Sequence, residues 1–184
     1  MKALFLSFII PFASASVLAA DTCREVVRDA SCRIVQTIER QKSLGGTMQA
    51  TIRDASGRII GTASTSTNSG GSALTTYRDA SGRMTGSAAT QSSTGTTSST
   101  TYRDASGRLN GSADSRTSSG SGTNTQYRDA SGKLTGSSAT SDSSSGSFAG
   151  TRRDASGRLI GSSSGTGKCQ GATTIPSPAP SKKK

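Results

Sequence analysis

Residues 100–112 read Thr-Thr-Tyr-Arg-Asp-Ala-Ser-Gly-Arg-Leu-Asn-Gly-Ser, and this stretch decides the fold. Asp-Ala-Ser-Gly is turn chemistry. The Asp carboxylate can accept a hydrogen bond from its own backbone two residues on, and Gly takes the positive φ that closes a tight hairpin. The Thr-rich segment ending in Tyr102 and the segment from Arg108 to Ser112 both have strand character. One unit therefore reads as two strands of about eight residues joined by a turn. Ser/Thr/Gly clusters such as Asn68-Ser69-Gly70-Gly71 and Ser93-Thr94-Gly95 supply a second reversal.

The unit recurs. Arg-Asp-Ala-Ser begins at Arg28, Arg53, Arg78, Arg103, Arg128 and Arg153, each 25 residues after the last. Five copies continue with Gly (Gly57, Gly82, Gly107, Gly132, Gly157), and the first has Cys32. A cation follows (Arg33, Arg58, Arg83, Arg108, Lys133, Arg158), then an apolar residue (Ile34, Ile59, Met84, Leu109, Leu134, Leu159). Such self-similarity at a fixed period marks a repeat architecture. The expected fold is all-β: tandem 25-residue β-hairpin repeats forming an extended meander or solenoid, with disorder as the competing state. In a one-repeat-per-coil solenoid like cations would stack about 4.8 Å apart, against roughly twice that in a meander. Their repulsion favours the meander.

If the hairpin turns about Ser-Gly, strand alternation puts Tyr77, Asp79, Met84, Gly86 and Ala88 on one face. Arg78, Arg83, Thr85 and Ser87 then share the other, and a glycine bulge at the turn would shift that pairing.

Residues 1–20 have the order of a secretory signal peptide: Lys2, an apolar run from Leu4 to Phe12, then small residues up to Ala20. That run is too short to span a bilayer. The expected chain after processing starts near Asp21 and carries no integral helical membrane segment. A secreted, periplasmic or cell-surface location follows. The net charge of +11 loses only Lys2 with the leader. Residues 21–184 contain 16 Leu, Ile, Val and Phe, near a tenth of that length. A composition below ~20% favours disorder over a thick core. Any ordered state has to be thin, repetitive and rich in hydrogen bonds. Residues 21–52 are the most apolar and read as an N-terminal capping repeat, or a short helix. Residues 53–171 are the regular repeats. Residues 172–184, with Pro176, Pro178, Pro180 and Lys182–Lys184, read as a disordered basic tail.

The sequence holds no histidine, which removes Ser-His-Asp and Cys-His catalysis. It has no Cys-x-x-Cys, and no cofactor or metal is expected. Cys23 and Cys32 are the candidate disulfide, leaving Cys169 over. The candidate anion-binding residues are the ladder Arg53, Arg58, Arg78, Arg83, Arg103, Arg108, Arg128, Lys133, Arg153 and Arg158. Such a stripe can bind nucleic acid, lipopolysaccharide or acidic glycan. It can equally serve as a solvated face that keeps a sheet soluble, with each Asp partnering its adjacent Arg. Tyr77, Tyr102 and Tyr127 form a column suited to a thin core, or to stacking sugars or bases.

The segment Asp104–Leu109, with its recurrences across residues 52–160, resembles the YD repeat of Rhs-type and teneurin-like bacterial surface proteins. That unit runs Tyr-Asp-x-x-Gly-Arg-Leu, whereas here Arg103 stands between Tyr102 and Asp104. The resemblance implies a sheet of β-hairpins in an exported, cell-surface setting. The expected function is a secreted or cell-surface protein with a structural or adhesin-like role. The alternatives are polyanion binding through the ladder and fibrous self-assembly of the low-charge, Thr-rich segments.

Overall fold

The computed structural model describes residues 22–167 apart from 44, 94 and 119–121. The expected signal peptide, Cys169 and the basic tail lie outside the described residues. Twelve strands follow in order: β1 (Thr22–Asp29), β2 (Ile34–Lys42), β3 (Met48–Asp54), β4 (Ile59–Thr67), β5 (Ala73–Asp79), β6 (Met84–Ser93), β7 (Thr97–Asp104), β8 (Leu109–Thr117), β9 (Gly122–Asp129), β10 (Leu134–Asp142), β11 (Ser147–Asp154) and β12 (Leu159–Gly167). Each strand pairs antiparallel with its sequence neighbours, and β1 pairs with β12 to close a barrel.

Closure corrects the expected architecture, which was an open meander or a solenoid. The strands and hairpins are as read; the ends of the array are not free. Cys23–Asp29 pairs against Gly167–Gly161, so the first and last repeats are neighbours. An open sheet leaves two rows of unpaired N–H and C=O groups, and a barrel leaves none. A ring also has no terminal unit to cover. The described residues of 22–52 are in strands, turns and bends rather than helix, and Val27, Ile38, Ala50 and Ile52 with Ala63 form the hydrophobic cluster on one side of the ring, against which Tyr77 packs.

The Asp-Ala-Ser-Gly turn is built the same way six times. In the fourth repeat Asp104 N donates to Arg108 O (3.0 Å) and Gly107 N donates to Asp104 O (3.0 Å). Asp104 Oδ1 accepts from the backbone N–H of Ser106 (2.9 Å) and Arg108 (3.0 Å). Gly107 has φ +80°, which makes this a three-residue turn ending in a glycine bulge. Cys32 holds that position in the first repeat at φ +63°.

The bulge shifts the register by one residue, and a second bulge, at Asn110 and its equivalents, shifts it back. Arg103 therefore pairs with Leu109, while Tyr102 pairs with Gly111. The equivalent pairs Arg78–Met84 and Tyr77–Gly86 correct the expected faces. Tyr77, Gly86 and Ala88 point into the barrel as expected, but Met84 joins Arg78 on the outside. Ile34, Ile59, Met84, Leu109, Leu134 and Leu159 are accordingly 36–48% exposed.

The interior is made of small residues. The level of Ile38, Ala63, Ala88, Ala113, Ser138 and Ser163 is buried throughout, with Ala113 only 1% exposed. Beyond it, hydroxyl pairs bridge successive repeats: Thr65 Oγ1–Thr75 Oγ1 (2.8 Å), Thr90 Oγ1–Thr100 Oγ1 (2.9 Å) and Ser115 Oγ–Thr125 Oγ1 (2.9 Å). These satisfy polar groups where a larger core would hold apolar ones. On the turn side lies a level of glycines: Gly61, Gly86, Gly111, Gly136 and Gly161. A Cβ on Gly86 would come within 2.5 Å of Arg103 O in the next repeat. Glycine is required there by the distance between repeats, and it also leaves room for the adjacent tyrosine ring.

Gly86→Ala should therefore destabilise the protein by about 1–3 kcal/mol, as overpacking against backbone does. A urea melt reads this as a lowered midpoint with an unchanged slope. An unchanged midpoint would show that the repeats are not in this contact.

Candidate functional site

Alternation within Tyr-Arg-Asp turns the tyrosine inward and the arginine outward, and six repeats place the arginine in a ring. Arg28, Arg53, Arg78, Arg103, Arg128 and Arg153 circle the outside of the turn end. Each lays its guanidinium over its own turn: Arg78 Nη1 donates to Gly82 O at 2.8 Å, Arg103 Nη1 to Gly107 O at 2.9 Å, and Arg153 Nη1 to Gly157 O at 2.8 Å. Arg33, Arg58, Arg83, Arg108, Lys133 and Arg158 stand on the turns themselves. Closure thus adds Arg28 and Arg33 to the expected ladder and bends the ladder into a collar.

The collar keeps most of its charge. Asp54, Asp79, Asp104, Asp129 and Asp154 each spend Oδ1 on the amides of their own turn. Of the ten expected cations, only Arg53 (Glu39, 3.8 Å) and Arg58 (Asp54, 3.4 Å) have a carboxylate within ion-pair distance among the described residues. Pairing of each Asp with its adjacent Arg is the expectation; among the described residues the turn carboxylate in an ion pair is Asp54, and its partner is Arg58, four residues on. Twelve cations against the six turn carboxylates and Glu39 leave five positive charges at this rim. Between them sit the exposed apolar side chains from Ile34 to Leu159, each paired across the hairpin with an outer arginine.

The Ser56 hydroxyl, at 2.6 Å, is the main reason the Asp54 carboxyl is held below its usual range, with the Arg58 and Ser56 amides helping. The Ser131 hydroxyl does the same for Asp129. Both carboxylates therefore remain charged at neutral pH and fixed to their turns.

Inside the same end lies a cavity of about 650 Å³. Tyr77, Tyr102, Tyr127, Ile38, Ile52 and Arg152 are among its large lining residues, and Arg78, Arg103, Arg128 and Arg153 reach the lining with Asp79 and Asp129 at the turn end. Tyr127 Oη hydrogen-bonds Ser138 Oγ at 3.1 Å, so its ring lies across Gly136 toward the small-residue level. Tyr102 Oη is buried and has no hydrogen-bond partner among the described residues. Burial pushes the Tyr77 phenol up to about 12, the nearby Arg40 charge opposing it in part. Tyr102 is raised further, by burial first and then by its neighbours Tyr127 and Tyr77.

Deeper, Arg40 Nη2 lies 2.8 Å from Glu25 Oε2, with the two side chains 4% and 2% exposed. Neither Nη of Arg40 makes an aligned hydrogen bond, so the pair is held by charge. Sequence reading missed this pair, although Glu25 and Arg40 stand where other repeats carry Thr, Ser, Ala or Gly. It missed Arg152 for the same reason: the residue occupies the tyrosine column of the sixth repeat.

The cysteine expectation is corrected. Cys32 is a free, exposed thiol on the first turn, so it forms no bond with the buried Cys23. Nine residues separate them in sequence, but Cys23 lies at the far end of β1, beside Arg40 and Gly167. Among the described residues no group of three or more His, Cys, Asp and Glu could hold a metal ion.

An alkaline titration followed by tyrosinate absorbance should show Tyr77 and Tyr102 ionising well above the ordinary value near 10. The folded pKa is raised, so the associated stability is complete below about pH 10 and is lost as pH rises through about 12. A urea midpoint falling over that window is the expected result. Three tyrosines titrating together near 10 would contradict the buried arrangement.

Comparison with protein-family models and with curated proteins gives no match to this chain.

Proposed function

We propose that this protein is an exported binding barrel that attaches to polyanions, acidic glycan foremost, through its cationic collar. One observation carries the reading: twelve cations circle a single rim, most without a carboxylate partner, with exposed Ile, Leu and Met side chains among them. A single-signed ring raises the local concentration of polyanions and recruits them by releasing their counterions. Apolar residues between the charges suit a surface presenting sugar faces or lipid as well as sulfate, phosphate or carboxylate. The signal-like first twenty residues support a location where such surfaces are met.

The adhesin-like role is kept in this reading. Fibrous assembly is a weaker alternative, because a closed barrel offers no strand edge for a second copy to extend. A catalytic role is also weaker. The chain has no histidine, and the Asp ring is committed to its turns.

Binding to immobilised heparin should weaken steeply with salt. Changing Arg78, Arg83, Arg103 and Arg108 together to Ser should lower the slope of log K against log salt by about 0.7–0.9 per lost contact. Changing Lys42 and Arg116, near the opposite rim, should leave it close to native. Equal loss from both sets, or none from the collar set, would contradict the reading.

A further inference from the structure

We propose that the cavity inside the collar is a binding site for a small, flat, largely apolar molecule carrying one carboxylate. Its volume of about 650 Å³ lies within the range of small-molecule sites. The wall is unusual for this chain. The sequence contains three tyrosines and no tryptophan, and Tyr77, Tyr102 and Tyr127 all line this one cavity. Ile38 and Ile52 continue the apolar surface beside them. An apolar body with π-faces fits that wall, since aromatic rings favour offset or edge contacts with one another.

The charge is selected by Arg152. Its column position is Val27, Ile52, Tyr77, Tyr102 and Tyr127 in the other repeats, so the sixth repeat puts a guanidinium where the others put an apolar or aromatic side chain. Arg152 faces the cavity, is half-buried and makes no hydrogen bond or ion pair among the described residues. A guanidinium offers a planar fork that matches a carboxylate. Tyr102 Oη, buried and unpartnered in the same wall, is a second polar group awaiting a ligand atom. The opposing charges are at the mouth. Asp79 and Asp129 reach the lining, and Asp154 stands two residues beyond Arg152 on the same strand face. Each has Oδ1 bonded to its own turn, so they bias entry against polyanions and leave the guanidinium free. The cavity thus takes a ligand with a single negative charge, whereas the outer collar takes many.

The probe is 2-naphthoate, with neutral 2-naphthamide and the cation 2-naphthyl-trimethylammonium as comparators. Ring resonances of the three tyrosines report the site without interference. Naphthoate should shift all three saturably. Arg152→Gln should weaken naphthoate about tenfold or more, the usual loss for a charge-assisted hydrogen bond, and leave naphthamide unchanged. Arg152→Lys should restore part of the affinity, and Arg158→Gln, on a turn and outside the cavity lining, should change neither. The proposal is overturned if millimolar naphthoate leaves the tyrosines unmoved, if Arg152→Gln binds it as the native protein does, or if the cation binds more tightly. Heparin binding is read separately and does not depend on Arg152.

Discussion

The pairing of β1 with β12 turns a row of hairpins into a ring. A chain with so few large apolar side chains cannot order itself by burying a core. It can order if every strand has two hydrogen-bonding neighbours. Ten of the twelve strands would have them in an open meander; the seam from Cys23–Gly167 to Asp29–Gly161 supplies the last two. Closure also brings the most apolar strands, β1 and β2, beside β12, whose inner face is Gly and Ser. The hydrophobic cluster around Val27, Ile38 and Ile52 therefore stiffens the seam side of a ring whose other interior is held by hydroxyl pairs.

The same ring sorts chemistry by face. One glycine bulge per repeat sends the apolar residue after the turn outward beside an arginine, and one further bulge brings the next glycine back under the tyrosine. Charge and exposed apolar surface thus collect on the outside of one rim, and aromatic surface collects on the inside of it. The Asp between them is fixed to its turn through Oδ1, and Asp79 and Asp129 also reach the inner wall. Two chemically different surfaces follow from a single repeated pentapeptide and its neighbours.

Much of this was legible in the sequence. The 25-residue period implied two strands per repeat, with meander order favoured over a solenoid, and Asp-Ala-Ser-Gly implied the turn. The inward set Tyr77, Gly86 and Ala88 followed from alternation, since the two bulges cancel between Tyr77 and Gly86. Closure was not legible. Strand pairing between residues 23 and 167 leaves no local signal, and an open array has the same sequence pattern. Simple alternation puts Met84 on the wrong face, because a two-residue turn and a three-residue turn with a bulge use the same Asp-Ala-Ser-Gly. The collar residues could be named in advance as a ladder. Arg152 and the Glu25–Arg40 pair could have been found by aligning repeats column by column and asking where each departs from the rest.

The most direct test of the account is the seam. Val26 pairs with Ser164 across β1 and β12, as Ala149 pairs with Ser164 across β11 and β12. Backbone nuclear Overhauser contacts should appear for both pairs with comparable intensity, and the amides of β1 should exchange as slowly as those of β11. Contacts at Ala149–Ser164 without any at Val26–Ser164 would show an open array with free edges, and would contradict the closed barrel.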